Sequence, residues 1–454
     1  MARTSLNTKL KSKSSRLIDR LSNLSDDVLC KIVSELPTKD SIRFTSMSKQ
    51  WRNHWLSVPA LDLHHRHFGD EYELFEFIDK FLESNGGRDV KRFKLIYDAI
   101  EHDQEEFESR IDDVVKRGVC DLTIINHLSS DEGGFVVMPL SLYSCATLVN
   151  LTLNSVVFDD PESESVSLPC LKTMHLEAVR FNGRDEILKP LISSCLVLEE
   201  LTIITVADLY YDGGAEEEWG IACVCSQSLK SFKLESTTHA DIQIDAPRLE
   251  YLSIRDYQCE SLTIHSIGPY AKVNLDVKLN VELDDPSERS EIGDFLNAIS
   301  TVREMIISAR TLEFIRGYSK FEPLPQFSNV SHLEASFPKT TWEFLPSFLG
   351  CCPNLKSLVL EYGSLSETDE MNSFHVPQCF ISSLEFVELK TPATLKGTPT
   401  KLKLAIYFIR NCAVLKKLVV SGCSDDIIKK IEKIPKRSPG CEVVVVKPKL
   451  QRSR

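Results

Sequence analysis

The stretch LVNLTL at residues 148–153 contains the pattern that decides the fold of this chain. Its apolar residues stand at the first, fourth and sixth positions. The last two lie on one face of a short strand, and the residue between them lies on the other. The same pattern returns as LEELTI at 198–203 and as LKSLVL at 355–360. Each copy therefore predicts a strand with one buried face and one open face.

This pattern occurs thirteen times along the chain, with 20 to 32 residues between successive starts. The starts are Val90, Val119, Leu148, Leu171, Leu198, Leu229, Leu249, Tyr270, Val302, Val330, Leu355, Leu384 and Leu415. Such a period is typical of leucine-rich repeats, which stack into a solenoid with one parallel sheet. Residues 187–195 and 344–349 fit helical return segments. The regular asparagine of such repeats is missing, so the solenoid is expected to be irregular. An ordinary α/β sheet with chance matches is the alternative.

Two sets of residues follow from this register. The residues expected on the open face of the sheet are Thr152, His175, Thr202, Lys233, Ser253 and Val359. They mix charged, polar and apolar types, so they predict no clear charge for a partner. Four cysteines each stand three residues before a repeat's first apolar residue, namely Cys145, Cys195, Cys352 and Cys412. A recurring position of this kind indicates packing rather than redox or metal chemistry.

Toward the N-terminus, residues 19–63 predict three short helices joined by tight turns. Ser25 is placed to cap the first helix, Thr38 the second and Ser48 the third. The apolar stripe of the first helix consists of Val28, Leu29, Ile32, Val33 and Leu36. About 40 residues are too few to bury a stable core alone. The helices are therefore expected to pack against the rest of the chain or a partner.

Residues 19–63 resemble a plant F-box. The resemblance rests on LPTKD at 36–40, SK-x-WR at 48–52 and VP-x-LDL at 58–63. It implies docking to Skp1, the adaptor subunit of a cullin-based ubiquitin ligase. The residues expected to face Skp1, or to support the helices that do, are Leu24, Leu29, Ile32, Leu36, Pro37 and Trp51. Two positions depart from the family pattern, because Ser25 stands where proline is usual and Gln50 where arginine is frequent.

The C-terminal stretch 381–447 resembles the FBD domain that closes many plant F-box proteins. The resemblance rests on SSLEFVELK at 382–390, on 401–420 and on IPKRSPGCEVVVV at 434–446, in the order strand, helix, strand, helix, strand. Because a solenoid must cover its open end, this segment is expected to be a cap. The expected fold is α/β, with a three-helix F-box, an irregular leucine-rich-repeat solenoid and an α/β FBD cap. The predicted domains are a basic disordered tail at 1–18, the F-box at 19–63, the solenoid at 64–380, the FBD at 381–447 and a tail at 448–454.

Composition and motifs favour a protein-binding chain over an enzyme. A formal net charge of −13 argues against nucleic acid as a default partner. Residues 133–158 lack charge, but polar residues interleave at strand-like spacing, so buried repeat structure is expected rather than a membrane span. The fourteen cysteines lack zinc-site spacing, and the adjacent His64, His65 and His67 are expected to lie at an exposed strand end. We found no phosphate-binding, nucleophile-elbow or metalloprotease motif, so neither a cofactor nor catalysis is expected.

The resemblance implies a substrate-recognition adaptor of an SCF-type ubiquitin ligase. The F-box would bind Skp1 and through it a cullin, and the repeats would bind a target protein that the sequence does not identify. The alternative is a non-ligase leucine-rich-repeat scaffold with a degenerate F-box, which Ser25 and Gln50 motivate. The expected location is the cytoplasm, the nucleus or both. The acidic stretches 208–219 and 284–291 are expected to be exposed loops.

Overall fold

The computed structural model describes residues 24–46, 58–84, 89–98, 103–127, 134–161, 166–182, 188–205, 222–237, 241–259, 261–337, 343–362, 376–390, 399–421, 429–431 and 433–446. The strands in these ranges are β1 (Ala60–His64), β2 (Arg92–Tyr97), β3 (Asp121–Asn126), β4 (Val136–Val137), β5 (Asn150–Asn154), β6 (Val156–Asp159), β7 (Thr173–Glu177), β8 (Arg180–Asn182), β9 (Glu200–Ile204), β10 (Ala222–Cys225), β11 (Ser231–Ser236), β12 (Asp241–Ala246), β13 (Tyr251–Cys259), β14 (Ser261–Ile267), β15 (Lys272–Leu279), β16 (Glu304–Ile307), β17 (His332–Phe337), β18 (Ser357–Tyr362), β19 (Phe386–Lys390), β20 (Lys417–Ser421) and β21 (Glu442–Val446). The helices are α1 (Asp26–Ser34), α2 (Thr38–Ser46), α3 (Glu71–Ser84), α4 (Gln104–Lys116), α5 (Leu188–Ser193), α6 (Pro286–Ala298), α7 (Ala309–Tyr318), α8 (Leu345–Gly350), α9 (Gln378–Ser382) and α10 (Pro399–Asn411).

One long parallel sheet organises the molecule. Within the described ranges it contains fifteen strands, in the order β1-β2-β3-β5-β7-β9-β11-β13-β15-β16-β17-β18-β19-β20-β21, which is also their order along the chain. All thirteen predicted repeats are strands of this sheet. Their registers align the repeated apolar positions, since Leu151 pairs with Met174 and Met174 with Leu201. Apart from Tyr270, which is 63% exposed, the residues of the pattern are buried in one continuous core, so the solenoid prediction is confirmed.

The two strands beyond the thirteen lie at the ends of the sheet. β1 carries the same spacing in Val58, Leu61 and Leu63, all of which are buried. These residues also belong to the predicted F-box, so one short segment serves both parts of the molecule. β21 lacks the pattern because Gly440 occupies its first apolar position. β1 lies across the predicted 63/64 boundary, and the domain limits stay predictions.

The return segments between strands are of two kinds. α5 and α8 lie in the stretches predicted to be helical. Two other groups of return segments are themselves parallel strands, in the small sheets β4-β6-β8 and β10-β12-β14. The loop predicted at 284–291 is wrong, because α6 begins there. Asp285 caps that helix by accepting a hydrogen bond from the Ser287 N–H at 2.8 Å, and Pro286 fits the first turn, where no intrahelical donor is needed.

Short polar side chains line the core at the same position in five of the repeats, whereas the repeat that starts at Leu171 has Ala178 there. They stand seven positions after a repeat's first apolar residue and are Asn126, Ser155, Thr205, Ser236 and Asp256, all buried. The Asn126 amide donates to the Ser155 carbonyl at 3.1 Å, and the Thr205 hydroxyl donates to the Ser236 hydroxyl at 3.0 Å. These bonds link one repeat to the next, which is the role that a regular asparagine ladder has in such repeats.

The C-terminal segment has the predicted order of elements through its described part. β19, α10, β20 and β21 follow one another, and the strands extend the long sheet rather than starting another. In α10 the side chains of Leu404, Tyr407 and Phe408 are buried, as is Cys412 directly after the helix. α3 likewise buries Leu74, Phe75, Ile78, Phe81 and Leu82. The tails at 1–18 and 448–454, the third F-box helix and the acidic stretch 208–219 lie outside the described residues.

Candidate functional site

The apolar stripe of α1 is divided between buried residues and residues that remain at the surface. In α1, Leu29 and Val33 are each 1% exposed, whereas Val28 is 44% exposed. Leu24 and Ile32 are half-buried. Val28 and Ile32 stand four residues apart on α1, so they lie on one face of the helix, and Leu24 directly precedes its N-cap Ser25. We call these three residues the outer strip, and it leaves apolar surface available to a partner.

Short contacts fix α1 and α2 to the start of the solenoid. The Ser41 hydroxyl donates to the Val33 carbonyl at 2.9 Å and holds the two helices together. The Asp62 N–H of β1 donates to the Thr38 hydroxyl at 2.8 Å. The sequence predicted that Thr38 caps α2. Its hydroxyl instead accepts the outward-facing N–H of the first strand. These bonds set the orientation of the outer strip relative to the sheet.

Arg92 of β2 makes a second connection at the end of α1. Its guanidinium donates to the Ser34 carbonyl, at the C-terminal end of the helix, where a positive charge is favoured. It also lies 3.7 Å from the Glu35 carboxylate, in an ion pair that is open to solvent. A side chain of the long sheet thus contacts the end of α1.

A cavity of about 350 Å³ lies between the helices and the sheet. It is lined by Glu35, Leu36, Pro37, Asp62, Arg92, Lys94, Asp121 and Thr123. Its cations face acids, with the Lys94 ammonium 3.5 Å from the Asp62 carboxylate. Burial raises the pKa of Asp121, and the positive charge of Arg92 partly offsets that rise. The cavity is a polar space between helices α1 and α2 and the first strands of the long sheet.

The residues predicted to face Skp1 occupy different environments. Leu29 is buried within the chain itself, so it stabilises the packing of α1 rather than presenting a surface to a partner. Leu24, Ile32 and Leu36 are half-buried and Pro37 is exposed. Trp51 and Gln50 lie outside the described residues. Their contacts with a partner stay predictions. The residues predicted to face Skp1 did not include Val28, although its spacing of four residues from Ile32 was the signal that the two share a face of the helix.

The open face of the long sheet is the second candidate surface. Strand alternation and register place all six predicted residues on this face. Thr152, His175, Thr202 and Lys233 are half-buried there, whereas Ser253 and Val359 are nearly covered by their neighbours. The Asn274 side chain, for example, donates to the Ser253 hydroxyl at 3.3 Å.

The open face changes character along the sheet. Threonine side chains give β3, β5 and β9 a neutral polar centre. On β11 to β15, Glu235 lies 2.9 Å from Lys233 and 3.6 Å from Arg255, and Arg255 lies 3.9 Å from Asp276. These half-exposed pairs add little stability, but they fix the pattern of charge that a partner meets.

Metal-ligating side chains and cysteines are the remaining candidates for a site among the described residues. Among them, no three histidine, cysteine or acidic side chains are grouped to hold a metal ion. Burial raises the pKa of Cys195 to about 11 and that of Cys379 to about 12, so both thiols stay protonated at neutral pH. Cys145, Cys195, Cys352 and Cys412 are all buried, as the recurring position predicted. In the part of the chain that the structure describes, no helix is long and apolar enough to cross a membrane.

Comparison with known proteins gives three family matches in chain order. The F-box domain matches residues 21–62, the LRR repeats of FBD-associated F-box protein At5g56370 match 107–268, and FBD matches 374–420. F-box/FBD/LRR-repeat protein At1g80470 of Arabidopsis thaliana is 53% identical over 95% of this chain and 92% of its own length. FBD-associated F-box protein At1g60410 of the same plant is 49% identical over 89% of this chain and 98% of its own length.

Proposed function

Because this chain belongs to the F-box/FBD/LRR-repeat protein family, we propose that it is the substrate-recognition adaptor of an SCF-type ubiquitin ligase. The observation that carries the proposal is the outer strip, where Val28 is 44% exposed on a helix that is fixed to the solenoid. An apolar line held in place on the surface suits a partner that covers it. Skp1, and through it a cullin, would bind there, and an unidentified target would bind the open face.

In this role the protein supplies no catalytic side chain. It holds a target near the ubiquitin-carrying enzyme, so that a bimolecular reaction proceeds at a high effective concentration. The bonds from Thr38 to β1 and from Arg92 to α1 support this mechanism, because a fixed angle between docking helix and sheet keeps the target in reach. The proposed location is the cytoplasm, the nucleus or both.

The test is the affinity for Skp1 of the full chain and of a Val28→Asp variant. A carboxylate in the middle of an apolar contact must be desolvated, so binding should weaken at least tenfold. Asp27→Ser is the matched control, since Asp27 is exposed on the same helix away from the outer strip. Leu29→Asp is unsuited to this purpose, because a buried charge there would disrupt the core. Equal loss in both variants, or none in Val28→Asp, contradicts the proposal.

A non-ligase scaffold with a degenerate F-box is the second candidate. It is favoured by Ser25, which stands at the N-cap of α1 but makes no hydrogen bond from its side chain to the helix. A folded wild-type chain that does not bind Skp1 at micromolar concentration would support this scaffold. Restored binding in Ser25→Pro would then locate the defect at the start of α1.

A further inference from the structure

The two ends of the long sheet are finished differently. At the first end, the outward-facing Asp62 N–H of β1 is bonded to Thr38. At the other end, β21 has β20 as its neighbour, and the Glu442 N–H donates to the Lys416 carbonyl at 2.8 Å. Strand geometry then turns the backbone N–H and C=O groups of Val443 and Val445 toward the outer edge. In the chain as far as it is described, no hydrogen bond reaches these four groups.

The side chains of the same two residues leave the core incomplete. Val443 and Val445 pair in register with Leu418 and Val420 of β20, which are fully buried. The two valines are only half-buried, because no further strand of the described chain lies beside them. Val446 at the end of the strand is 46% exposed. β21 thus offers unpaired backbone groups together with apolar side chains, which is the template for an added strand.

The surroundings of β21 carry the opposite charge to the rest of the protein. Residues 429–446 contain two acids, Glu432 and Glu442, and five basic residues, which are Lys429, Lys430, Lys433, Lys436 and Arg437. The whole chain has a net charge of −13. The basic loop is held beside the strand, since the Lys436 ammonium donates to the Cys441 carbonyl at 2.7 Å. Pairing with a second copy would bring two basic ends together, so charge disfavours it.

We propose that the outer edge of β21 binds an extended segment of a partner protein, apolar at alternate positions and acidic at its ends, which adds as a further strand. The backbone groups of Val443 and Val445 supply the hydrogen bonds, and the half-buried valines supply the apolar contacts. The basic loop attracts the acidic ends. This site is independent of Skp1 docking, because it lies at the opposite end of the sheet from α1.

The test measures binding of a fluorescein-labelled nonapeptide to the full chain by polarisation. The peptide has alternating valine and threonine at its centre and two glutamates at each end. The variant is Val445→Pro, which removes an outward-facing N–H without removing a bond to β20. Affinity should fall at least tenfold in this variant and stay within twofold in Val444→Thr, the neighbouring control. Lys433→Glu should lower the affinity for this peptide severalfold. The same variant should bind a peptide with lysines at its ends more tightly than the wild type does.

Several results would overturn the proposal, and three of them come from the peptide-binding measurements. They are no binding by folded wild type at millimolar peptide, equal binding of a peptide with two central prolines, and equal affinity in Val445→Pro. Should Val445→Pro fail to fold, hydrogen exchange of the wild type decides, since the peptide must slow the Val443 and Val445 amides at least tenfold. Binding of an oligonucleotide in place of the peptide would show a general basic surface and would also refute it. Skp1 affinity, measured in parallel, stays unchanged in Val445→Pro.

Discussion

Replacing Thr38 by valine tests whether the docking helices are fixed to the sheet as the structure indicates. Valine keeps the volume and the β-branched shape, so it removes little besides the hydroxyl. That hydroxyl accepts the Asp62 N–H at 2.8 Å, at a position where Thr38 is 6% exposed. Losing a hydrogen bond and leaving its donor unpaired in a covered site costs about 2 kcal/mol. The helix pair should therefore open from β1 about 30-fold more often.

Hydrogen exchange resolved by residue is the assay. The Asp62 amide and the amides of α1 and α2 should exchange about 30-fold faster, while those of β17, far along the sheet, keep their rates. The matched control is Thr202→Val on the half-exposed open face, where exchange should change little. Equal exchange of the Asp62 amide in both variants would refute the edge-capping role of Thr38. Faster exchange throughout the sheet would refute a local connection.

Three further substitutions test the packing of the solenoid. Gly268→Ala should destabilise the protein by about 3 kcal/mol in urea unfolding, because its Cβ would lie 2.2 Å from the Leu249 carbonyl oxygen. Gly350→Ala, with no atom within 4 Å of the added Cβ, should not. Thr311→Val should cost about 2 kcal/mol by the same assay, because the buried hydroxyl accepts the Val277 N–H at 2.8 Å. Burial raises the pKa of Cys195 to about 11, whereas the pKa of a cysteine in the unfolded chain is about 8.5. The unfolded chain therefore loses its proton first, and stability should fall from pH 8 to pH 10, less so in Cys195→Ala.

The long sheet was predictable because its signal is local and repeated. Each copy of the pattern needs only three apolar residues, and it can be recognised without knowing which repeat follows. The repeat pattern did not include β21, because Gly440 replaces the first apolar residue. That strand was predicted instead from the resemblance at 434–446, and its pairing with β20 adds it to the long sheet. The loop prediction for α6 was wrong, because a proline after an aspartate marks both a loop and a helix start. The neighbouring chain decides such cases, and a local pattern does not contain it.

For the candidate site on α1, the sequence predicted an apolar stripe but not which of its residues are exposed. Val28, Leu29, Ile32 and Val33 are all apolar at helical spacing, so sequence gives no reason to divide them. The division is visible only in the folded chain, where Thr38 contacts Asp62 and Arg92 contacts Ser34. There Leu29 and Val33 are buried, whereas Val28 is exposed. The residue best suited to a docking test is therefore identified by tertiary structure.

The length of the sheet gives the adaptor proposal a geometric consequence. Fifteen parallel strands spaced by about 4.8 Å extend for roughly 70 Å along the sheet. Because Thr38 and Arg92 fix α1 to its first two strands, the distance from a docked Skp1 to a bound target depends on which strands hold that target. A target on β3 to β9 and a target at β21 would present their lysines at very different distances from the same enzyme. Proximity catalysis falls steeply when the geometry cannot be spanned. Moving one epitope between these places should therefore change which lysines are modified, without any change in Skp1 affinity.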